Sequence, residues 1–122
     1  MRIGPNYCKM MSIVEQKEIY LVPFPFSDFN SNKVRPVLIV SNNSFNKNSQ
    51  DVIICAITRN SNSQHSINIK DEDMKRGKIL YNSYIKVENI CFINKELLIK
   101  NLGKISDNKF TKVKITLDKI IS

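Results

Sequence analysis

Two short, apolar and β-branched segments constrain the fold of this chain more than any other feature. They are RPVLIVSN, residues 35–42, and DVIICAITR, residues 51–59. Both are apolar on each face, and segments this short and apolar form buried core strands more readily than helices. The polar segment between them leaves room for a turn or a short helix. Further polar segments lie before and after the pair, so we predict that these strands end in surface loops.

Four other segments are predicted to add strands. EIYLVPFPF (18–26) begins as a strand, but its two prolines lack the amide proton that a sheet needs, so its second half is an edge or leaves the sheet. SYIKVENICFI (83–93) alternates as a half-buried strand does and is interrupted near Asn89. INIK (67–70) is a short strand, and a last one ends by Ile105.

One convincing helix is predicted, at the end of the chain. DEDMKRGKI (71–79) is expected to form only a brief helical turn that ends at Gly77. After an N-cap region at Ser106 and Asp107, apolar residues recur at helical spacing, at Phe110, Val113, Leu117 and Ile120. The chain is therefore predicted to be mainly β. Five to seven short strands form a small, strongly bent sheet or barrel, and the C-terminal helix is laid on it.

The length of 122 residues suits one domain with one core. We expect residues 1–10 to be a loose N-terminal extension and residues 11–122 to form the domain. No apolar run approaches the roughly 20 residues of a membrane helix, and the N-terminus does not read as a secretory signal. Three cysteines without a C-x-x-C or Cys/His cluster give neither a disulfide framework nor a zinc site. The expectation is a soluble, cytoplasmic protein without metal or cofactor.

The net charge of +8 suggests a polyanionic partner. The chain is also enriched in Lys, Asn and Ile together, which an AT-rich coding sequence produces without selection for a basic protein. Charge alone therefore leaves a nucleic-acid partner open.

Candidate catalytic groups come from Arg, Lys, Thr, Ser and the carboxylates, because the common enzyme motifs are absent and there is one histidine. Arg35 is the first candidate, since a guanidinium can hold a phosphate through two parallel hydrogen bonds and Pro36 stiffens the backbone beside it. Thr58 is the second, because its hydroxyl lies where an apolar strand meets a polar loop. An ordinary surface arginine and an ordinary strand-end threonine explain the same residues. In a regular strand, Arg59 points to the face opposite Thr58.

Three segments together resemble the MazF/PemK family of toxin endoribonucleases from type II toxin–antitoxin pairs. They are EIYLVPFPFSDFNSNKVRPVLIVSN, DVIICAITRN and SYIKVENICFINKELL, and the resemblance runs in order from about residue 18 to residue 121. The R-P before an apolar strand, the strand that ends in I-T and the INKELL segment are its most specific parts. The VPFPF form is similar to a PemK-like branch. The loop SDFNSNKV departs from many members because it lacks glycine and glutamate.

The resemblance implies an SH3-like β-barrel with a C-terminal helix that forms a homodimer and binds a cognate antitoxin. It implies sequence-specific cleavage of single-stranded RNA without a metal, with Arg35 and Thr58 at the scissile phosphate. Lys86, Glu88 and Asn89 align with a segment in which some members place further active-site or RNA-contacting residues. Glu88 is chemically a natural general base, although Lys86 and Glu88 also fit a solvated strand face.

Further RNA contacts are expected from the loops. An aromatic ring can stack on a base and a basic side chain can contact a phosphate, which makes Phe29, Lys33, Lys47 and Arg59 candidates. Two alternatives of other classes stay open at this point. One is a non-catalytic barrel that binds nucleic acid or protein, and the other is a toxin of related fold that poisons gyrase, as the CcdB relatives do.

Overall fold

The computed structural model describes residues 13–23 and 33–122. Within these residues lie seven strands, two α-helices and two short 3₁₀ turns. The strands are β1 (Glu18–Pro23), β2 (Val34–Ile39), β3 (Asp51–Thr58), β4 (Ser66–Ile69), β5 (Met74–Gly77), β6 (Ser83–Asn94) and β7 (Lys100–Ile105). The helices are α1 (Asn43–Asn48) and α2 (Asp107–Ile121), and the 3₁₀ turns are Asp71–Asp73 and Lys95–Leu97.

The strands form one curled antiparallel sheet in the order β4-β6-β3-β2-β1-β7-β5. The predicted mainly β, barrel-like fold with a C-terminal helix is confirmed, at the upper end of the predicted strand number. The predicted N-terminal extension and residues 24–26 of the first strand segment lie outside the described residues. Pro23 is the exposed last residue of β1; it pairs with Val34 of β2, whereas the pairing of β1 with β7 ends at Leu21. Among the residues that are described, no helix is both long and apolar enough to cross a membrane.

The two faces of the sheet bury two apolar clusters. One cluster contains Leu38 and Ile85, both 0% exposed, and it is covered by Phe110 and Val113 of α2. Helix α2 begins as predicted, because the Ser106 side chain accepts a hydrogen bond from the backbone N–H of Lys109. The second cluster lies on the opposite face and consists of Val14, Tyr20, Val22, Val37, Ile39, Val52 and Ile54. Burial of each large side chain contributes about 1.5–3 kcal/mol to folding.

The segment after Asp73 differs from its prediction. Only residues 71–73 are helical, and Met74–Gly77 form strand β5, which pairs with β7. Gly77, at φ +80°, lies opposite Gly103, at φ +138°, and the two backbones approach closely. Glycine permits this approach because it has no Cβ. Pairing with a distant strand therefore overrides the local helical tendency.

The predicted interruption near Asn89 is a bulge in β6. Cys55 pairs with Ile90 and Ala56 pairs with Lys86, so residues 87–89 have no counterpart in β3. Such an insertion bends a strand and increases its twist. The bulge lets one strand of 12 residues pair with β3 along its length while its first part also pairs with β4.

Strand register brings three positions together at one end of the sheet. Val37 pairs with Ala56 between β2 and β3, and continuing this antiparallel register by two residues puts Arg35 opposite Thr58. Thr58 in turn pairs with Tyr84 of β6. Opposite residues share one face of a sheet, so the start of β2 and the end of β3 present their side chains to the same space.

Candidate active site

An open groove lies at the end of the sheet where β2 begins and β3 ends. Its volume is about 480 Å³. Described residues from three segments line this groove: Arg35, Thr58, Arg59, Asn60, Tyr81 and Asn82. A second cavity of about 380 Å³, here called the apolar pocket, shares part of this lining and extends to Ile57, Ile69 and Ile79. The polar groove thus opens onto an apolar interior.

Arg35 is exposed and lies at the second position of β2. Its backbone is held in the sheet by pairing with Val22, and the following Pro36 pairs with Leu21. Proline restricts the preceding residue to extended geometry, so local sequence and strand pairing require the same backbone conformation at Arg35. The Arg35 side chain therefore starts from a fixed backbone, and the residue lines both the groove and the apolar pocket.

Thr58 is half-buried in the groove wall at the last position of β3. Its hydroxyl donates to the carbonyl of Asn60 at 3.2 Å and accepts from the backbone N–H of Asn60 at 3.4 Å. These contacts close a turn directly after the strand. The hydroxyl has a single proton, so it can donate to an anionic oxygen in the groove when it gives up its bond to the Asn60 carbonyl.

The described residues in the walls of the two cavities carry more positive than negative charge. Among the described residues that line them, Arg35, Arg59 and Lys78 are cationic and none is Asp or Glu. Cations concentrated in a concave surface attract polyanions, and guanidinium groups hold phosphate through paired hydrogen bonds. The arrangement can therefore bind a phosphodiester and stabilise negative charge that develops on it.

Arg59 is brought to the groove because β3 ends at Thr58. Beyond the strand end, strict alternation no longer applies, and both Thr58 and Arg59 line the groove. The guanidinium carbon of Arg59 lies over the ring of Tyr81, 4.0 Å from its centroid. Tyr81 was not among the residues singled out in the sequence. The only local signal was an aromatic residue in a polar segment, and no pattern pairs that segment with the end of β3.

Glu88 lies in the bulge of β6, and its polar neighbours are Lys86, Ser63 and His65. Its Oε2 atom is 3.9 Å from Nζ of Lys86, and Oε1 is buried without a hydrogen-bond partner among the described residues. Burial raises the pKa of Glu88, but hydrogen bonds from its own backbone and from Ser63 and the charges of Lys86 and His65 outweigh burial, so its pKa is lowered. Glu88 is thus ionised near neutral pH.

The other predicted residues are dispersed. Lys86, Glu88 and Asn89 line neither the groove nor the apolar pocket. Lys33 is exposed directly before β2, close to the groove, whereas Lys47 is exposed in α1, beyond the opposite end of β2. Phe29 lies outside the described residues. Within the part of the chain that is described, no three His, Cys, Asp or Glu side chains form a group that could hold a metal ion.

The fold and the groove together define a class of small, curled β-sheet domain with a basic cleft at one end. Three solved structures with this fold are toxins or toxin complexes. An endoribonuclease from a mycobacterial species, in complex with its cognate antitoxin, is 22% identical, with a TM-score of 0.70 over 89% of this chain and 93% of that chain. A MazE–MazF structure from Deinococcus radiodurans is 10% identical, with a TM-score of 0.73 over 90% and 97%. The Mycobacterium tuberculosis toxin MazF-mt6 is 16% identical, with a TM-score of 0.67 over 84% and 93%.

At these identities the structural similarity establishes the fold. The family follows from the sequence, because the model of the PemK-like, MazF-like toxins of type II toxin–antitoxin systems matches residues 15–121. The chain belongs to this family, and the resemblance identified from its motifs is confirmed.

Proposed function

We propose that this protein is an endoribonuclease toxin that cleaves single-stranded RNA at specific sequences without a metal. Family membership supports the toxin class, and the mycobacterial relative of the same fold is an endoribonuclease. The observation that carries the proposal is the lining of one basic groove by both Arg35 and Thr58. The chemistry of these two groups suits a phosphodiester better than a peptide or a neutral ligand.

The RNA supplies its own nucleophile. The 2′-hydroxyl attacks the adjacent phosphorus, the new O2′–P bond forms, and the P–O5′ bond breaks. The hydroxyl proton passes to a base, and the leaving 5′-oxygen takes up a proton. The protein has to hold the backbone in line and stabilise the extra negative charge on the pentacovalent phosphorus.

Arg35 is proposed as the main clamp on the phosphate. A guanidinium has five N–H donors, a lasting positive charge and no acceptor, so Arg35 acts as a hydrogen-bond donor and a charge, not as a base. It can hold a non-bridging oxygen or donate to the leaving 5′-oxygen. Thr58 donates its hydroxyl to the other non-bridging oxygen, in exchange for its contact with the carbonyl of Asn60.

The general base is the least constrained part of the mechanism. Glu88 is the sequence-based candidate, and its lowered pKa keeps it ionised and able to accept a proton. The same shift makes it a weak base, since proton acceptors are most effective with a pKa near the working pH. If Glu88 is the base, Glu88→Gln removes the acidic limb of the pH–rate profile. A variant that keeps this limb assigns the role elsewhere.

We further propose that the toxin forms a homodimer and is inhibited by a cognate antitoxin, as in the MazE–MazF complex of the same fold. A flexible acidic segment would complement the cations that line the groove. A self-association surface is suggested by exposed apolar residues from the second half of β6 to residue 99. These are Ile90, Phe92, Leu97 and Ile99, which are 39% to 66% exposed.

The test is incubation of a long unstructured RNA with the protein in excess EDTA, followed by sequencing of the new ends. Wild type should give discrete fragments and leave DNA of the same sequence intact, because DNA lacks the 2′-hydroxyl. Arg35→Ala should cleave about 10²- to 10³-fold more slowly. Arg35→Lys, which keeps the charge but loses the paired donors, should fall between wild type and Arg35→Ala.

Other results would assign another function. A folded Arg35→Ala protein that cleaves within a few-fold of wild type contradicts the role of Arg35. RNA that is bound but never cut favours the non-catalytic barrel. Intact RNA together with inhibited supercoiling by gyrase favours the gyrase-poisoning alternative.

A further inference from the structure

The stacked pair of Arg59 and Tyr81 is an exposed feature that the cleavage mechanism does not use. The guanidinium lies 4.0 Å from the ring centroid, Arg59 is exposed, and Tyr81 is 56% exposed. An exposed cation–π pair contributes only about 0.5–1 kcal/mol to the stability of the fold. Stability alone therefore gives little reason for a large aromatic ring to lie in solvent.

The pair is held at a fixed position relative to Arg35 and Thr58. Arg59 directly follows Thr58, and Tyr81 lies two residues before Ser83, where β6 begins. Since Thr58 pairs with Tyr84, the strands β3 and β6 set the separation between the Arg59–Tyr81 pair and the groove wall. A ligand whose phosphate meets Arg35 therefore has its neighbouring groups close to this pair.

The polar groups around the pair match the edge of a base. Asn60 and Asn82 line the groove beside Arg59 and Tyr81. Each amide side chain offers both a donor and an acceptor, which is the pattern needed to read a nucleobase. Planar bases stack on tyrosine rings and on guanidinium planes, and each such stack contributes about 1–3 kcal/mol to binding.

We propose that Arg59 and Tyr81 form a stacking platform for a nucleobase next to the scissile phosphate, with Asn60 and Asn82 reading its edge. This assignment rests on the proposed function, since it places the base beside the bond that Arg35 and Thr58 act on. An acidic peptide is the competing ligand for a basic groove. A peptide carboxylate would use the charge of Arg59 but has no need of the exposed ring, which a base does need.

The test compares Tyr81→Leu with Tyr81→Phe. Leucine keeps an apolar side chain but removes the ring, whereas phenylalanine keeps the ring. The ligand is a 2′-O-methyl oligonucleotide that contains the preferred cleavage sequence, or a mixed-sequence pool if no cleavage is found. Its riboses lack the nucleophile, so binding is measured without cleavage. Tyr81→Leu should weaken binding about 5- to 150-fold, and Tyr81→Phe should stay within about twofold of wild type.

The salt dependence separates stacking from charge. Tyr81→Leu removes no cation, so the slope of log K against log salt should equal that of wild type. Arg59→Lys keeps the charge but loses the plane, and it should weaken binding without changing the slope. On cleavable RNA, Tyr81→Leu should also relax the base preference next to the cut, as read from the sequenced ends.

Failure of this inference can be distinguished from failure of the proposed function. Equal binding by wild type and Tyr81→Leu overturns the platform even if the wild type cleaves RNA. Equal weakening by Tyr81→Leu and Tyr81→Phe also overturns it, because the ring is then not the binding element. If Tyr81→Leu loses binding to an acidic antitoxin peptide but binds the oligonucleotide as wild type does, the platform is overturned and the Arg59–Tyr81 pair is assigned to a protein partner. Weaker oligonucleotide binding by Tyr81→Leu with no cleavage by wild type supports the platform and removes the nuclease.

Discussion

Arg76, beside Glu18, and Arg59, in the groove, differ in what surrounds their guanidinium groups. The Glu18 residue is only 2% exposed. Its carboxylate accepts hydrogen bonds from Arg76 at 2.8 Å, Asn101 at 3.0 Å and Tyr20 at 3.2 Å, and from the backbone N–H of Glu15 at 2.8 Å. Both of its oxygens have partners, so this buried charge is compensated within the fold.

The groove has the opposite composition. Its described walls contain cations without Asp or Glu, and Arg59 contacts an aromatic ring instead of a carboxylate. Charge that is balanced within the fold stabilises the fold, whereas an excess of one sign in a concave surface attracts a ligand of the other sign. We therefore expect substitutions around Glu18 to lower stability, and substitutions in the groove to lower RNA binding and cleavage at nearly unchanged stability.

The largest stability effect is expected at Gly77, which joins β5 to the strand that carries Asn101. A Cβ on Gly77 would lie 2.2 Å from the backbone oxygen of Leu102, and the residue has φ +80°. Gly77→Ala should lower the free energy of unfolding by at least about 3 kcal/mol, measured by urea denaturation. Lys75→Ala, at an exposed position of the same strand, should change it by less than about 0.5 kcal/mol. Similar losses from both would show that the close backbone approach is unimportant.

The next effect concerns the charge of Glu18 itself. Glu18→Gln keeps the shape of the side chain but removes the negative charge that Arg76 contacts, and should lower the free energy of unfolding by roughly 2 kcal/mol. Glu15→Gln is the matched control, because the Glu15 side chain is 37% exposed and its contact with Lys104 is at 2.7 Å. A solvent-exposed ion pair contributes less than about 1 kcal/mol to the free energy of unfolding. Equal losses from the two variants would remove the distinction between buried and exposed charge. Cleavage of RNA by either folded variant should be unchanged.

A pH dependence follows from Tyr20 in the same cluster. Burial, then the charge of Glu18 and the hydrogen bond to it, raise the pKa of Tyr20 to about 12, while an unfolded tyrosine has a pKa of about 10. The protonated Tyr20 hydroxyl contributes fully to the free energy of unfolding below about pH 10. As the pH rises toward 12 the unfolded chain loses this proton more readily than the folded protein, so the free energy of unfolding falls by about 1–3 kcal/mol. Tyr20→Phe should lack this loss, so the difference in unfolding free energy between the two proteins should narrow between pH 9 and 11.5. Parallel curves would contradict the raised pKa.

The contrast between the two regions also explains what the sequence could predict. Strands β2 and β3 follow from local composition, and their antiparallel register brings Arg35 and Thr58 together once the strands are paired. The Glu18 cluster depends on contacts over long distances along the chain, such as the 58 residues that separate Glu18 from Arg76. No local pattern encodes such a contact. The same holds for Tyr81, whose partner Arg59 comes from a different segment, and for β5, which forms only because β7 is available.

The smallest expected effect tests where the basic surface ends. Lys33 and Lys47 are both candidates for phosphate contacts, but Lys33 lies directly before β2, near the groove, and Lys47 lies in α1 beyond the other end of that strand. Lys33→Ala should reduce the slope of log K against log salt for a single-stranded oligonucleotide by about 0.7, the value for one lost phosphate contact. Lys47→Ala should leave that slope within error of wild type if the RNA follows the groove alone. An equal reduction by both variants would mean that RNA runs along the whole length of β2, so that the binding surface extends well past the cations of the groove.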